Sequence, residues 1–255
     1  MNENIILNEG ERIDKVNDNI FLIQKNNGLT FGTDAYLLSA YINSSFKTGC
    51  ELGSGTGIIS LLLLQKNKLN RIYAYEIQDD FAKLTQRNAQ LNGFDNRLTV
   101  LSKDVKSASV EETGGEVDIV FSNPPYMKAN SGINSKDVQM NIARREISGN
   151  IFDFCLSAAS LLKWGGRFYC VYRPDRLSTL IYSMKEAKLE PKRLTFVHPD
   201  ADCPPSLVLV EARYGGGEEL KVTRPLVIYN DKTHKQYTDD LQYIYATGNF
   251  PEKRF

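Results

Sequence analysis

Three acidic side chains stand behind three short apolar runs, and the first of them opens a loop of glycines. In CELGSGTGIISLLL, Glu51 precedes Gly53, Gly55 and Gly57, and an apolar run follows. Glycines so placed let the backbone turn tightly and approach a ligand closely. The spacing is G-x-G-x-G. It is neither the G-x-G-x-x-G of dinucleotide sites nor a P-loop, whose Lys-Ser/Thr ending is missing. Glu51 is awkward for a pyrophosphate and suits a ligand that carries positive charge. Glu76, followed by Ile77, comes about 20 residues after the glycines, where an acid can accept both hydroxyls of a ribose. Asp104 ends the third run as Ser102-Lys103-Asp104. A carboxylate there can accept from an adenine amino group, with Val105 as an apolar wall. Together these residues suit an adenosine with a cationic tail and no phosphate. S-adenosylmethionine (SAM) fits that description.

A fourth stretch, FSNPPYMK, holds Asn123, Pro124, Pro125 and Tyr126 directly after another apolar run. Two prolines in isolation simply end a strand, which requires neither the amide nor the ring. Whether the stretch is a turn or part of a pocket depends on the strand it terminates.

The surrounding elements supply that context. Ile20–Phe31 predicts a hairpin around Asn-Asn-Gly, and TDAYLLSAYI a helix that Thr33 or Asp34 is placed to cap. Strands and helices then alternate. Strands are expected over Thr48–Leu52, Arg71–Tyr75, Leu98–Leu101, Val117–Phe121 and Arg167–Tyr172. Helices are expected over Ile58–Gln65, Phe81–Asn92 and Phe152–Leu162, the last ended by Trp164-Gly165-Gly166. Such repeats imply an α/β fold with a parallel sheet covered on both faces, and ligands bind beyond the carboxyl ends of its strands. After a helix over Leu177–Ala187, the runs Arg193–Val197 and Ser206–Ala212 have only HPDADCPP between them, so they read as antiparallel neighbours. Gly215-Gly216-Gly217 marks the expected end of the compact part, with an apolar run at Pro225–Tyr229 and a short helix near Tyr237–Tyr245 beyond it. The expected organisation is an N-terminal hairpin and helix over 1–45, a core over 46–217 and an extension over 218–255.

ELGSGTG, AYE, SKD and SNPPY, in that order, resemble the Rossmann-like SAM-dependent methyltransferases, over roughly Phe31 to Tyr214. The resemblance implies a mostly parallel seven-stranded sheet with an antiparallel last hairpin and SAM as cofactor. The NPPY form is similar to the branch that methylates nitrogen conjugated to a planar system. There, the asparagine side-chain oxygen and the following proline carbonyl accept hydrogen bonds from the target amine. Here those positions are Asn123 and Pro124. Two acceptors favour the pyramidal amine that forms as methyl transfers and stabilise its developing charge. Pro125 stiffens the loop, and Tyr126 can stack on a planar target.

Two NPPY branches compete for the substrate. The enzymes that methylate a glutamine of release factors usually carry a helical domain before the glycine loop and an acidic-proline segment after NPPY. Here about 50 residues precede Gly53, and the segment Met127 to Asn150 that follows Tyr126 holds no Glu-Pro pair. GLTFGTDAYLLSAYI, NPPY, ARRE and the late HPDADCPPSLVLVEARYGG look like the bacterial tRNA N6-adenine methyltransferases that act beside the anticodon of a valine tRNA. In that family a Phe-x-x-Asp stretch lies close to the SAM pocket, and Phe31 and Asp34 match it. Lys128, Lys136, Arg144 and Arg145 follow NPPY and could meet phosphates, although Arg144-Arg145-Glu146 equally suits an ion pair on a helix surface. Lys185, Lys188, Lys192 and Arg193 form a second, weaker basic group. Other RNA or DNA adenines, and a SAM-binding protein without methyl transfer, remain open at this stage.

Composition limits the alternatives. Lys+Arg and Asp+Glu balance at 31 each, so bulk charge does not advertise a nucleic-acid partner, and contact must be local. The four cysteines form no C-x-x-C pair and only two histidines occur, which argues against a structural zinc site or a disulfide framework. The polar, acidic start does not read as a signal peptide, and Ile58–Leu64 is too short to span a bilayer. These features read as a soluble, cytoplasmic protein.

Overall fold

The structure, a computed structural model, describes residues 6–26, 32–125 and 150–251. Seven strands make the main sheet: β3 (Phe46–Leu52), β4 (Leu69–Glu76), β5 (Leu98–Ser102), β6 (Val117–Ser122), β7 (Leu162–Tyr172), β8 (Leu189–His198) and β9 (Leu207–Tyr214). Their order is β8-β9-β7-β6-β3-β4-β5. The pairs from β7 to β5 are parallel, and β9 runs antiparallel to both β7 and β8. This is the mostly parallel seven-stranded sheet with a last antiparallel hairpin that the family resemblance implies. Two-residue strands β10 (Lys221–Val222) and β11 (Leu226–Val227) extend it, each parallel to β8.

Alternation along the strands builds two cores, because successive side chains of a strand point to opposite faces. Ile119, Phe121, Tyr169 and Val171 join one cluster with α1 (Thr33–Tyr41), α2 (Ile58–Gln65) and α6 (Asp239–Thr247). Val120, Phe168 and Cys170 join the other with α4 (Ile151–Leu161) and α5 (Leu177–Glu186). Helices therefore cover both faces. Helix α2 is buried from Ile58 to Leu64, as expected for a segment apolar all round.

Several expectations are corrected. Ile20–Lys25 (β2) pairs backwards with Glu11–Asn17 (β1), a partner the sequence did not announce, and the expected forward arm of the hairpin across Asn-Asn-Gly lies outside the described residues. Asn17 Oδ1 closes the observed turn by accepting from the N–H groups of Asn19 and Ile20, both at 2.9 Å. ERIDKVN is too polar to announce a strand, since neither face of it is fully buried. Gly32, not Thr33 or Asp34, occupies the N-cap of α1, and no side chain caps it. Trp164-Gly165-Gly166 is not a loop: β7 runs through it with a register shift opposite β6, and Gly165 takes a left-handed φ of 78°. The chain beyond Gly217 does not leave the compact part. Leu226, Leu241 and Ile244 are fully buried in the first cluster, and Thr238 caps α6 through the N–H of Leu241.

The free edge of β2 is met by a helix. Asn88 and Asn92, on α3 (Asp79–Leu91) and at its C-cap, bond the backbone of Ile23 and Phe21 respectively, each side chain accepting from N–H and donating to C=O. Four residues of helix rise about 6 Å and two of strand about 6.6 Å, so the two spacings match. Lys68 is tied differently. Its Nζ donates to Ser39 O and Gly248 O near the ends of α1 and α6, and burial pushes its pKa down to about 7.

Candidate active site

Four neighbouring strands, β6-β3-β4-β5, bring the candidate residues to one edge of the sheet, at their carboxyl ends. The glycine loop turns between β3 and α2. Gly53, Gly55 and Gly57 have φ of 78°, 56° and 80°, a region that L side chains rarely adopt. The N–H groups of Gly53 and Ser54 both donate to Tyr75 O, at 2.9 and 3.0 Å, which ties the loop to β4. At Gly57 a Cβ would come within 2.7 Å of Thr85 Cγ2, so close helix packing also demands glycine. Among the described residues a Cβ on Gly55 would meet nothing within 4 Å, so the loop faces open space there.

Glu76 is buried at the end of β4 and accepts from Gly55 N at 2.8 Å and from Gln78 N at 2.9 Å. A carboxylate has about four lone-pair sites, and these bonds use two, one on each oxygen. Glu76 is therefore fixed while retaining acceptor capacity of the kind that hydroxyls need. Ile77 beside it is half-buried.

Glu51 lies beneath the loop, only 1% exposed, with Ser60 donating to Oε2. Burial, opposed by the Ser60 bonds and assisted by the charge of Glu76, raises its pKa to about 8. The ordinary value is 4.5, so between that pH and about 8 the folded chain holds a proton that the unfolded chain releases. The resulting stabilisation is fully present below pH 4.5 and is lost as pH rises through about 8. The ligand-free melting temperature of the wild type will fall across that interval more steeply than that of Glu51→Gln. Equal slopes in thermal melts from pH 5 to 8.5 would contradict the assignment.

Asp104 follows β5. Its Oδ1 accepts from Lys106 N at 2.9 Å and its Oδ2 pairs with Lys106 Nζ at 3.2 Å, so it caps the short 3-10 turn Val105–Ser107. Val105 is buried against α4, and its carbonyl accepts from Ser157 Oγ at 2.8 Å. Asn123 follows β6, with Pro124 buried and Pro125 exposed. Its Nδ2 donates to Asp34 Oδ2 at 2.9 Å, which brings α1 to the same edge of the sheet. Phe31, Tyr126, Lys128, Lys136, Arg144 and Arg145 lie outside the described residues. Arg193, from the weaker basic group, is corrected: it is buried, bonded to Tyr41 O and Glu211, and so not available to a phosphate.

Supporting residues were not anticipated. Thr85 donates to Gly55 O at 2.8 Å and Asn88 to Thr56 O at 2.9 Å, so α3 holds the loop from the side. Thr85, Asn88 and Asn92 recur at helical spacing, and that polar stripe was the available signal. Asn150 and Asp153 form a capping box that starts α4, whose Phe154 packs against Gly53.

A glycine loop with an open face, a fixed carboxylate and a buried acid fit SAM. The model of the family described as "Methyltransferase small domain" matches residues 26–179. A solved Agrobacterium tumefaciens protein, described as a predicted O-methyltransferase, superposes with a TM-score of 0.68 at 20% identity, covering 86% of this chain and 98% of its own. M. jannaschii TYW2, solved with AdoMet, gives 0.55 at 14% identity, covering 82% and 88%. The fold and site thus define a Rossmann-like SAM-dependent methyltransferase. A Porphyromonas gingivalis (strain ATCC 33277) relative is 31% identical over 189 residues, covering 71% of this chain and 73% of its own. One from Haemophilus influenzae (strain PittEE) is 28% identical over 233 residues, covering 90% and 95%. Both are described as tRNA1(Val) (adenine(37)-N6)-methyltransferases. The chain belongs to the methyltransferase small domain family and, within it, to that of the tRNA1(Val) (adenine(37)-N6)-methyltransferases.

Among the described residues, no helix is long and apolar enough to cross a membrane.

Proposed function

We propose that this chain transfers a methyl group to N6 of adenine 37 of a valine tRNA, the position in the relatives' description. The observation that carries the proposal is Asn123-Pro124 at the carboxyl end of β6, beside the strand that bears the glycine loop. SAM supplies the electrophilic methyl, so the chain's residues need only bind, orient and polarise.

Glu76 accepts from the ribose hydroxyls, Asp104 from the adenine amino group, and Ile77 and Val105 flank the ring. Glu51 is protonated in the ligand-free chain below about pH 8, and a cationic tail placed beside it favours its ionised form. The glycines of the loop let that tail approach the backbone, and Phe31 is assigned to the cofactor pocket with them. At the target, an exocyclic adenine amine is a poor nucleophile because its lone pair is delocalised into the ring. Asn123 Oδ1 and Pro124 O accept its two N–H bonds and favour the pyramidal geometry in which the lone pair is available. They also stabilise the positive charge that develops before the proton leaves to solvent. Pro125 holds the loop stiff and Tyr126 stacks on the base, which must leave its own stack first. Lys128, Arg144 and Arg145 contact phosphates. A tRNA substrate implies a cytoplasmic enzyme.

Radiolabelled SAM with three acceptors tests the proposal: unmodified total tRNA, duplex DNA and a release factor. The expected label is in tRNA and digests to N6-methyladenosine. Label in the release factor instead would assign the chain to glutamine methylation, and label in DNA would overturn the RNA assignment.

A further inference from the structure

We infer that Asp34 is a positioning residue for the transfer step, fixing which way round the Asn123 amide stands. The inference rests on the reading of Asn123 Oδ1 as the acceptor of the target amine.

An asparagine amide is nearly symmetric in shape and opposite in chemistry at its two ends. Turned by 180°, it would present an NH2 group to the amine of the substrate, donor against donor. An ionised carboxylate only accepts, so the contact of Asp34 Oδ2 with Asn123 Nδ2 at 2.9 Å admits one orientation alone. With Nδ2 committed to Asp34, Oδ1 lies on the opposite side of the amide. A charge-assisted bond at the NH2 also draws amide electron density toward Oδ1, which improves it as an acceptor.

The carboxylate itself is held. Asp34 Oδ1 accepts from Ala35 N at 2.9 Å within the first turn of α1, where the helix dipole favours an anion. That turn is braced from outside: Tyr245 OH donates to Thr33 Oγ1 at 3.3 Å, and the Tyr245 ring packs edge-on to Tyr36 at 5.0 Å. Gly32 supplies an independent sign that the site is shaped around the carboxylate. A Cβ there would fall 2.7 Å from Asp34 Oδ1, although Gly32 is exposed and its φ of −107° is open to any residue. An alanine at 32 would cost the fold little, because an aspartate tip can swing away. Swinging away is what the contact with Asn123 cannot tolerate.

The test compares wild type, Asp34→Asn, Asn123→Asp and the double variant in single-turnover methylation of tRNA, with SAM affinity measured for each. Asp34→Asn alone will slow transfer about 10- to 100-fold, the value of one charge-assisted hydrogen bond, with SAM affinity within about threefold. Asn123→Asp sets two carboxylates against each other. Adding Asp34→Asn to it restores a donor–acceptor pair and will raise the rate, so the same substitution acts with opposite sign in the two backgrounds. Gly32→Ala will slow transfer with an unchanged melting temperature. A slowing by Asp34→Asn of the same factor in both backgrounds would overturn the inference. So would loss of SAM affinity with the saturated rate intact, which would make Asp34 a cofactor ligand instead. A full rate in Asn123→Ala would overturn the reading of Asn123 as well, and so separates the two failures.

Discussion

Asn123→Ala will leave a folded protein that binds SAM and transfers methyl about 10² to 10³ times more slowly, the usual cost of losing one acceptor or donor aimed at developing charge. The side chain sits after β6, half-buried, and the glycine turn is shaped by bonds to Tyr75, Glu76, Thr85 and Asn88. Its removal should therefore spare the cofactor. Pro124 O remains as an acceptor, so some rate survives. Single-turnover transfer and calorimetric titration of SAM, on the same preparation, separate the two effects. Parallel loss of affinity and rate would remove the role given to Asn123.

Glu76→Ala will act on the other half of the site, raising the SAM dissociation constant at least about 100-fold, as expected for two hydrogen bonds to a charged acceptor. It also leaves the N–H groups of Gly55 and Gln78 without their carboxylate partner. Each such loss costs about 1–3 kcal/mol, so the melting temperature will fall too. Glu76→Gln keeps one acceptor oxygen and will be intermediate in both respects. At saturating SAM the transfer rate of the Gln variant should approach that of the wild type. Unchanged SAM affinity in Glu76→Ala would remove the ribose assignment.

The parts of this molecule that were legible in the sequence are those whose cause is local. Gly53, Gly55 and Gly57 need positive φ, and only glycine takes it freely, so the loop declares itself. The acids at successive strand ends could be placed because a parallel sheet lines up the carboxyl ends of its strands. The bulged course of β7 was hidden because Gly165 and Gly166 read as punctuation, whereas here glycine permits a bulge within a strand. The polar β1 was hidden because its pairing depends on β2, not on its own composition. The contact of Asp34 with Asn123 joins residues 89 apart, and helix-capping chemistry offered a sufficient local explanation for an aspartate at that position. Likewise Asn88 and Asn92 read as ordinary helix residues until β2 is laid along them.

The most direct measurement is on two transcripts of a valine tRNA, one with adenine at position 37 and one with guanine there. Each is incubated with the purified chain and labelled SAM, then digested to nucleosides. The expected result is N6-methyladenosine from the first transcript and no label in the second. Equal N6-methyladenosine from both would contradict the assigned position, and label in neither, with SAM bound, would contradict the assigned substrate.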